Sequence, residues 1–360
     1  MTYLPTLPTP RLIIDEAKLR ANIARMQGQC DANGVALWPH IKTHKCLEIA
    51  RMQLDAGASG LVCAKLGEAE VMLASGVRRI FLAYQLVDPE TQAGRLRALA
   101  DALDTLIVAA TSFVQAEALG RVLDRAGITL PVLMAVDTGL GREGVRGLQS
   151  AQATAAVIQA HPRMRLMGLY SHEGQAYSEG VDRQMAAQHC VESLAAVRDA
   201  IDPALTLWPG CSVTADLAAA LPGVHAVRPG TYVFGDLWLS RLTGQMSIAE
   251  TALSVLTTVV DRPEPGLAFV DGGSKSFSSD KTPEGVFASP ADERDFHITR
   301  VSEEHGWVTG RQVNELQIGD RVAWTPAHVC PVVNLADTLT VVNEGIVTSE
   351  WKVAARGKVS

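Results

Sequence analysis

Trp38-Pro39-His40-Ile41-Lys42-Thr43-His44-Lys45 is the stretch that decides the fold. It closes a short apolar run, Val35–Trp38, and precedes a helical pattern that begins near Cys46. Two lysines and two histidines therefore lie at the C-terminal end of a predicted buried strand. In parallel α/β folds, ligands bind at this end of the strands. A lysine held there can lose its proton readily and form an imine with a carbonyl group, whereas a solvated basic turn is the plainer alternative.

The bulk composition is that of a globular protein with a sizeable core. Hydrophobic residues make up 47% of the 360 residues and charged residues 20%, and this length suggests one large and one smaller domain. The net charge of −7 argues against a nucleic-acid or membrane partner. The sequence shows no signal peptide and no membrane-spanning stretch. Six scattered cysteines without CxxC pairs are typical of reduced thiols, so we expect a cytoplasmic enzyme.

Apolar, β-rich runs alternate with amphipathic helical patterns over residues 17–245. The eight predicted strands are Val35–Lys42, Leu61–Lys65, Arg79–Tyr84, Leu106–Ala110, Pro131–Asp137, Leu166–His172, Leu205–Ser212 and Ala226–Asp236. Eight strands alternating with helices predict a closed (β/α)8 barrel of the TIM type. An open doubly wound sheet is the alternative, but no Gly-x-Gly-x-x-Gly follows the first strand.

A second, mostly-β domain is predicted for residues 246–360. The alternation stops around Ser240–Glu250, and β-branched runs separated by glycine turns follow. The short β-like run Arg11–Asp15 is expected to join this sheet. We therefore assign residues 1–16 to the same domain.

Five segments rich in charged, polar or glycine residues lie where the predicted strands end, the fifth of them on the eighth strand itself. They are Lys42, Asp137–Arg142, His172-Glu173, Gly210–Thr214 and Arg228–Tyr232. Residues at this end of a barrel are functional more often than structural, and five such segments around one rim indicate a functional site. The Gly-Cys-Ser-Val-Thr and Arg-Pro-Gly-Thr segments suit an anion, because small residues let N–H groups approach a phosphate. Ordinary turns have the same composition.

The segment Thr325–Pro331 contains a second candidate site. His328 and Cys330 are two residues apart, so on an extended strand they would point to the same face. Imidazole and thiolate suit zinc, and two protein ligands leave positions open for substrate or water. A His-x-Cys pair packed on a strand without any metal is the alternative.

Four motifs together resemble the D-serine dehydratase/D-threonine aldolase family. They are Pro-His-Ile-Lys-Thr-His-Lys (39–45), Cys-Ala-Lys-Leu-Gly-Glu-Ala-Glu (63–70), Arg-Pro-Gly-Thr-Tyr (228–232) and His-Val-Cys-Pro (328–331). The likeness spans nearly the whole chain. It implies the alanine-racemase-like fold, in which a pyridoxal-phosphate barrel precedes a β domain, and commonly a homodimer.

The resemblance implies different roles for Lys42 and Lys45. Lys42 would form the covalent link to pyridoxal 5′-phosphate and, once freed, act as a base beside Cα. Lys45 is predicted at the start of the next helix, where it would be solvated. His40 and His44 flank the anchor and receive no role.

The resemblance also implies the remaining contacts of the cofactor and a metal. Arg142 would lie near the phenolic oxygen, His172 would pack on the ring, and Arg228 would face the pyridine nitrogen. The residues that would hold the phosphate are Ser212, Gly230 and Thr231. The residues that would bind a divalent metal, with zinc favoured over manganese, are His328 and Cys330.

The implied activity is a lyase reaction on a small D-3-hydroxy amino acid. β-Elimination, as in D-serine dehydratases, gives a keto acid and ammonia, whereas retro-aldol cleavage, as in D-threonine aldolases, gives glycine and an aldehyde. Both need the same groups, and the thiol at position 330 favours elimination because aldolase relatives often present a carboxylate there. A racemase, which has no use for the metal pair, and a non-catalytic cofactor-binding protein remain as alternatives.

Overall fold

The structure is a computed structural model that describes residues 7–360. The predicted segment 1–16 therefore lies partly outside the described residues. The chain forms two compact units, which we call the strand–helix unit and the β unit. The strand–helix unit contains Arg25–Lys42, Leu47–Gly230 and Gly357–Ser360. The β unit contains the described residues up to Ala24, Thr43–Cys46 and Thr231–Arg356.

The predicted domain limits, 17–245 against 1–16 with 246–360, stay a prediction. Within residues 7–360, no helix combines the length and the apolar character that crossing a membrane requires.

The chain starts with one strand and one long helix, after which short strands and helices alternate. The elements are β1 (Arg11–Asp15), α1 (Glu16–Ala32), β2 (Ala36–Leu37), α2 (Leu47–Asp55), β3 (Leu61–Cys63), α3 (Leu66–Met72), β4 (Arg79–Leu82), α4 (Pro89–Ala102), β5 (Thr105–Ala110), α5 (Phe113–Ala126), β6 (Leu130–Ala135), α6 (Gly147–Ala160), β7 (Met164–Tyr170), α7 (Arg183–Ile201), β8 (Thr206–Trp208), α8 (Ala215–Ala219) and β9 (Ala226–Val227). Single 3-10 turns occur at Ile41–Thr43, Leu73–Ser75, Gly174–Tyr177 and Thr231–Val233.

Strands dominate the rest of the chain. A π-helical turn (Trp238–Leu242) and a 3-10 turn (Ile248–Glu250) come first, and another 3-10 turn lies at Val313–Glu315. The elements are β10 (Leu253–Glu264), β11 (Leu267–Val270), α9 (Ser274–Phe277), β12 (Ala288–Pro290), β13 (His297–Val301), β14 (Gly306–Thr309), β15 (Arg321–Pro326), α10 (Val329–Leu335), β16 (Thr338–Asn343) and β17 (Ile346–Lys352).

Local sequence sets the limits of several helices. The Asp88 carboxylate accepts hydrogen bonds from the second and third N–H groups of α4, whose first residue is Pro89. The Ser112 hydroxyl caps α5 in the same way, and Gly127 ends that helix with a left-handed φ of 67°. These are the residue types that leave the fewest unsatisfied groups at helix ends.

The strands of the strand–helix unit run parallel. In the described chain, β3 to β8 form one six-stranded sheet in sequence order, and β2 pairs with β9 in a separate two-stranded ladder. Single bridges from His40 to Val62 and from Leu207 to Val224 extend the pairing between the two sheets. Because all strands are parallel, the segments after them share one edge.

Three of the eight predicted strands are only two or three residues long, far shorter than expected, and proline explains each case. The ladders at β2, β8 and β9 stop at Leu37, Trp208 and Val227. Pro39, Pro209 and Pro229 follow within two residues. Since proline has no N–H to donate, it cannot continue a central ladder. The predicted extensions to Lys42, Ser212 and Asp236 are therefore wrong, and these residues lie in turns or loops.

Aromatic side chains fill the interior of the strand–helix unit. Trp38, Phe81, Tyr170 and Trp208 belong to one buried cluster with small and branched residues of the strands. The Trp38 and Trp208 rings are 5.0 Å apart, and the Phe81 ring meets Tyr170 edge to face at 5.2 Å. Full burial of such side chains stabilises a fold by about 1.5–3 kcal/mol each.

The β unit is built on one large sheet, as the sequence predicts. Within residues 7–360 this sheet has nine strands in the order β11-β14-β13-β12-β15-β10-β1-β16-β17. The N-terminal strand β1 joins it, antiparallel to β10 and parallel to β16. Ile13 pairs with Ser254 on one side and Thr340 on the other, so residues distant in sequence form the middle of the sheet.

Candidate functional site

Lys42 lies just beyond the C-terminal end of β2. Pro39 ends the ladder, and a 3-10 turn at Ile41–Thr43 then carries the lysine. Its backbone N–H donates to His40 Nδ1 at 3.3 Å, and His40 itself bridges to Val62 beside β3. The side chain is half-buried. The turn therefore fixes the backbone of Lys42 at the edge where the parallel strands end.

The environment of Lys45 differs from the solvated helix start that the sequence predicts. It is 6% exposed, has a positive φ of 50°, and donates from Nζ to Asn334 Oδ1 at 2.8 Å within the β unit. The helix α2 begins only at Leu47. The predicted solvated lysine is therefore a buried one, and its ammonium group donates a hydrogen bond to a side chain 289 residues away in sequence.

A glycine-rich loop after β6 carries Arg142. Asp137 accepts backbone N–H groups from Gly139 and Gly141 at 3.1 and 3.0 Å. Both glycines have positive φ values, 127° and 75°, which other residues rarely adopt. Arg142 pairs with Glu143, with Nη2 at 2.7 Å from Oε1, and its side chain is 54% exposed.

His172 is fixed by a backbone carbonyl. Its Nδ1 lies 2.8 Å from the Gly210 oxygen, so Nδ1 must carry the proton and Nε2 does not. Burial and the charge of Lys42, with smaller effects of Arg142 and Arg228, lower the pKa of His172 to about 3. The ring is therefore neutral at physiological pH.

Arg228 lies at the ends of β7 and β8. It is 5% exposed, and its guanidinium donates to the carbonyl oxygens of Ser171 and Trp208. The guanidinium carbon also lies 4.9 Å from the centre of the Tyr170 ring. Burial lowers the pKa of Arg228. Gly210 permits this packing, because a Cβ at that position would lie 2.7 Å from the guanidinium.

The two predicted phosphate segments meet in the strand–helix unit. The Gly230 N–H donates to Ser212 Oγ at 3.0 Å. The helix after the first segment, α8, has only five residues, so its dipole is small. Thr231 belongs to the β unit, where its Oγ1 lies 3.7 Å from Cys330 Sγ.

The His328–Cys330 pair is close in space but not on a strand. The strand β15 ends at Pro326, His328 caps the N-terminus of α10, and Cys330 lies in the first helical turn. The predicted extended conformation is wrong, because Pro331 favours the first turn of a helix. Cys330 is nevertheless close enough to His328 to raise the pKa of its imidazole.

Other side chains of the β unit orient this pair. Asp280 Oδ2 lies 2.6 Å from His328 Nδ1, and the Trp238 ring stacks on the imidazole at 4.4 Å and 19°. The buried Asp236 carboxylate accepts the N–H groups of Val329 and Leu239, which joins α10 to the π-helical turn. Although burial alone would lower it, the pKa of His328 is raised to about 9 by Cys330, Asp236 and Asp280.

These residues fit a pyridoxal phosphate and a metal ion. The buried Tyr170 hydroxyl has no hydrogen-bond partner among the described residues, and Tyr170 lines a small cavity with Arg142 and His172. Because buried hydroxyl groups are normally hydrogen-bonded, this one is suited to a polar group of a bound cofactor. Imidazole and thiol with a carboxylate on the second imidazole nitrogen match a protein metal site. Within residues 7–360, no third acidic, His or Cys side chain completes a metal cluster.

Known proteins share this sequence and architecture. Residues 14–237 match the family model described as "Alanine racemase, N-terminal domain", and residues 252–342 match "Putative serine dehydratase domain". A D-threonine aldolase of an Arthrobacter species is 32% identical, covering 98% of this chain and 94% of the relative. The chain belongs to the D-serine dehydratase/D-threonine aldolase family. Members of this family are pyridoxal-phosphate-dependent lyases, and this protein is therefore an enzyme of that class.

Two further relatives agree with this membership. The D-threo-3-hydroxyaspartate dehydratase of Delftia sp. (strain HT23) is 35% identical, covering 77% of this chain and 74% of the relative. A mutant of D-threo-3-hydroxyaspartate dehydratase in the metal-free form has a solved structure with a TM-score of 0.86 and 30% identity, covering 97% of this chain and 98% of that one. The family member described here thus has the alanine-racemase-like fold, with a parallel-sheet domain followed by a mostly-β domain.

Sequence reasoning missed several residues of the site. Tyr170 precedes His172 by two positions at the end of a predicted strand, so period-2 alternation could have indicated it. Asp280 and Trp238 are 48 and 90 residues before His328 and carry no local signal. Only tertiary contacts identify them.

The low pKa of His172 predicts a loss of stability in acid. Below pH 6.5 the unfolded chain protonates this imidazole, whereas the folded protein keeps it neutral down to about pH 3. The unfolding free energy should therefore fall as pH drops through this window, by up to about 1.4 kcal/mol per pH unit for one proton. Urea unfolding of the cofactor-free protein at pH 7, 5.5 and 4.5 measures this. His172→Gln should flatten the dependence, and His189→Gln, at an exposed position, should not.

Proposed function

We propose that this protein is a pyridoxal-phosphate- and divalent-metal-dependent lyase that eliminates water from a D-3-hydroxy amino acid, in the manner of a D-serine dehydratase. The observation that carries the proposal is the Asp280–His328–Cys330 arrangement in a chain that also presents Lys42 after β2. Cys330 Sγ lies 3.3 Å from Thr43 Oγ1 and 3.7 Å from Thr231 Oγ1. These threonines directly follow Lys42 and Gly230 in the chain.

The chain's own residues would hold the cofactor as follows. Lys42 anchors it covalently, Ser212, Gly230 and Thr231 bind its phosphate, and Arg142 binds its phenolic oxygen. The neutral His172 ring packs on it, held by the Gly210 carbonyl. Arg228, held by two carbonyls, faces the pyridine nitrogen. When bound, pyridoxal phosphate supplies an electron sink for the Cα–H bond.

Lys42 would also serve as a base. As a free amine it would take the α-proton of the substrate as a general base. His328 and Cys330 would hold a divalent ion, zinc in preference to manganese, and Asp280 would keep His328 in the tautomer that presents Nε2. A bound ion supplies Lewis acidity to the β-hydroxyl, which makes hydroxide a better leaving group. Loss of water leaves an enamine, and addition of a water molecule to its imine tautomer gives the keto acid and ammonia.

Retro-aldol cleavage to glycine and an aldehyde is the second candidate. The 32% identity to a D-threonine aldolase over 98% of the chain favours it. The thiol of Cys330 favours elimination, together with the 35% identity to a D-threo-3-hydroxyaspartate dehydratase. The two candidates share every residue named above. Elimination breaks the Cα–H and Cβ–O bonds, whereas retro-aldol cleavage breaks the O–H bond of the β-hydroxyl and the Cα–Cβ bond.

The proposal extends to architecture and location. The β2–β9 pairing and the two bridges support closure of the eight parallel strands into one (β/α)8 barrel. All six cysteines are free thiols, which suits the cytoplasm. The family resemblance supports a homodimer, which light scattering on the eluted protein measures; a single-chain mass would contradict it.

Product analysis tests the proposed function. We expect the purified holoenzyme to form pyruvate from D-serine, or oxaloacetate from D-threo-3-hydroxyaspartate, with stoichiometric ammonia. L-Serine should give neither product, which controls for a non-selective lyase. Glycine with an aldehyde, from D-threonine or D-3-hydroxyaspartate, would instead assign the aldolase. Conversion of D-alanine to L-alanine, or no turnover of any of these amino acids, would contradict both candidates.

A further inference from the structure

The loop Gly210–Thr214 is held in place by side chains. It connects β8 to the short helix α8 and belongs to neither. Glu173 Oε2 accepts the N–H of Gly210 at 3.3 Å, and Glu173 Oε1 accepts the hydroxyl of Thr214 at 2.8 Å. One carboxylate therefore joins the first and the last residue of the loop.

Neighbouring side chains complete this restraint. His172 binds the Gly210 carbonyl at 2.8 Å, so two consecutive residues after β7 hold both polar backbone groups of Gly210. Arg183 Nε donates to the Val213 carbonyl at 2.8 Å. Ser212, in the middle of the loop, is joined to the second phosphate segment through the Gly230 N–H. The loop conformation is thus set before any ligand arrives.

The position of Glu173 is unusual for a carboxylate. It is fully buried, at 0% exposure, beside a loop expected to bind a phosphate dianion. A buried carboxylate is costly unless hydrogen bonds satisfy it, and like charges repel. Two opposite effects on phosphate binding are therefore conceivable: the carboxylate orders the loop, or its charge repels the ligand.

We infer that ordering dominates and that Glu173 is a positioning residue, whose carboxylate holds the Gly210–Thr214 loop in the conformation that binds the cofactor's phosphate. This inference rests on the proposed function. A preformed loop loses little conformational freedom when the phosphate binds. Hydrogen bonds to a carboxylate are also stronger than those between neutral groups, so Glu173 can hold the loop firmly. Both oxygens of Glu173 are needed, because the two donors lie at opposite ends of the loop.

The variant Glu173→Gln separates the two effects. It keeps the size of the side chain, removes the charge, and replaces one acceptor oxygen with a donor NH2 group. If ordering dominates, the neutral amide holds the loop more weakly because the hydrogen bonds lose their charge assistance, and pyridoxal phosphate binds about 10-fold more weakly or worse. If repulsion dominated, the variant would bind it more tightly.

The measurement compares pyridoxal phosphate with pyridoxal, which lacks the phosphate. Dissociation constants come from absorbance titrations of the full-length apoprotein, and its thermal midpoint is recorded alongside. Glu173→Gln should weaken pyridoxal phosphate about 10-fold and leave pyridoxal within about twofold. The control Glu179→Gln has the same chemistry at an exposed position six residues later and should change neither constant.

A second variant protects the test against misfolding. Thr214→Val removes the hydroxyl that donates to Glu173 Oε1 and should show the same selective loss. Equal weakening of both ligands, or unchanged or tighter binding of pyridoxal phosphate in both variants, would overturn the inference. If wild-type protein binds pyridoxal phosphate normally, such results leave the proposed function intact. If wild-type protein does not bind pyridoxal phosphate, both the inference about Glu173 and the proposed function are contradicted.

Discussion

Lys42→Ala should abolish the visible absorbance of the lysine-bound cofactor and lower turnover by at least about 100-fold. The alanine has no amine to link to the cofactor or to take the α-proton. Spectra of the purified holoenzyme, and tryptic mapping after borohydride reduction of the wild type, measure the two effects. The label should appear on the peptide that contains residues 39–45.

Lys45→Ala is the matched comparison, three residues away. Lys45 donates to Asn334 inside the β unit, so its loss should lower the thermal midpoint and leave the absorbance band in place. An unchanged spectrum in Lys42→Ala, or a label on any other lysine, would contradict the assignment of the anchor.

Removal of the metal should be the second large effect. EDTA treatment, or His328→Ala, should lower turnover by at least about 100-fold while the absorbance of the bound cofactor remains, because Lewis acidity is worth several kcal/mol at the leaving group. Zinc or manganese should restore the EDTA-treated enzyme and should not restore the variant. Turnover that survives complete chelation would rule out the metal role of His328 and Cys330.

Asp280 gives a finer version of the same test. Asp280→Asn keeps a hydrogen-bonding group beside His328 Nδ1 and loses the charge, so metal affinity should fall about 10–100-fold. Calorimetric titration of zinc measures this, and excess metal should restore turnover. Asp292→Asn, an exposed carboxylate paired with Arg294, is the control and should leave zinc affinity unchanged.

The sequence predicted the parts of the fold that depend on local pattern. Apolar alternation located all eight parallel strands, since a buried strand must be apolar over its whole length. The lengths at β2, β8 and β9 were overestimated, although Pro39, Pro209 and Pro229 were visible in the sequence. The apolar composition of these segments predicted longer strands, but each proline lacks the N–H group that a longer ladder would need.

The candidate site could be predicted only where residues follow a strand directly. Lys42, Arg142 and His172 were identifiable in this way. The conformation of His328–Cys330 was predicted wrongly, because the apolar run before it suggested a strand although Pro331 favours the first turn of a helix. The contacts of Lys45 with Asn334 and of His328 with Asp280 depend on tertiary structure, which no local pattern encodes.

The central position of β1 has a consequence for how the chain is made. Ile13 leaves the ribosome early, but its ladder partners Ser254 and Thr340 are synthesised much later. During translation β1 therefore stays unpaired while the segments that form the parallel strands are synthesised. The nine-stranded sheet can close only after β16 and β17 have been synthesised, so residues 246–360 expressed alone would expose two unpaired strand edges, at β10 and β16. Strand β1 thus delays completion of the β-unit sheet until its later partners exist.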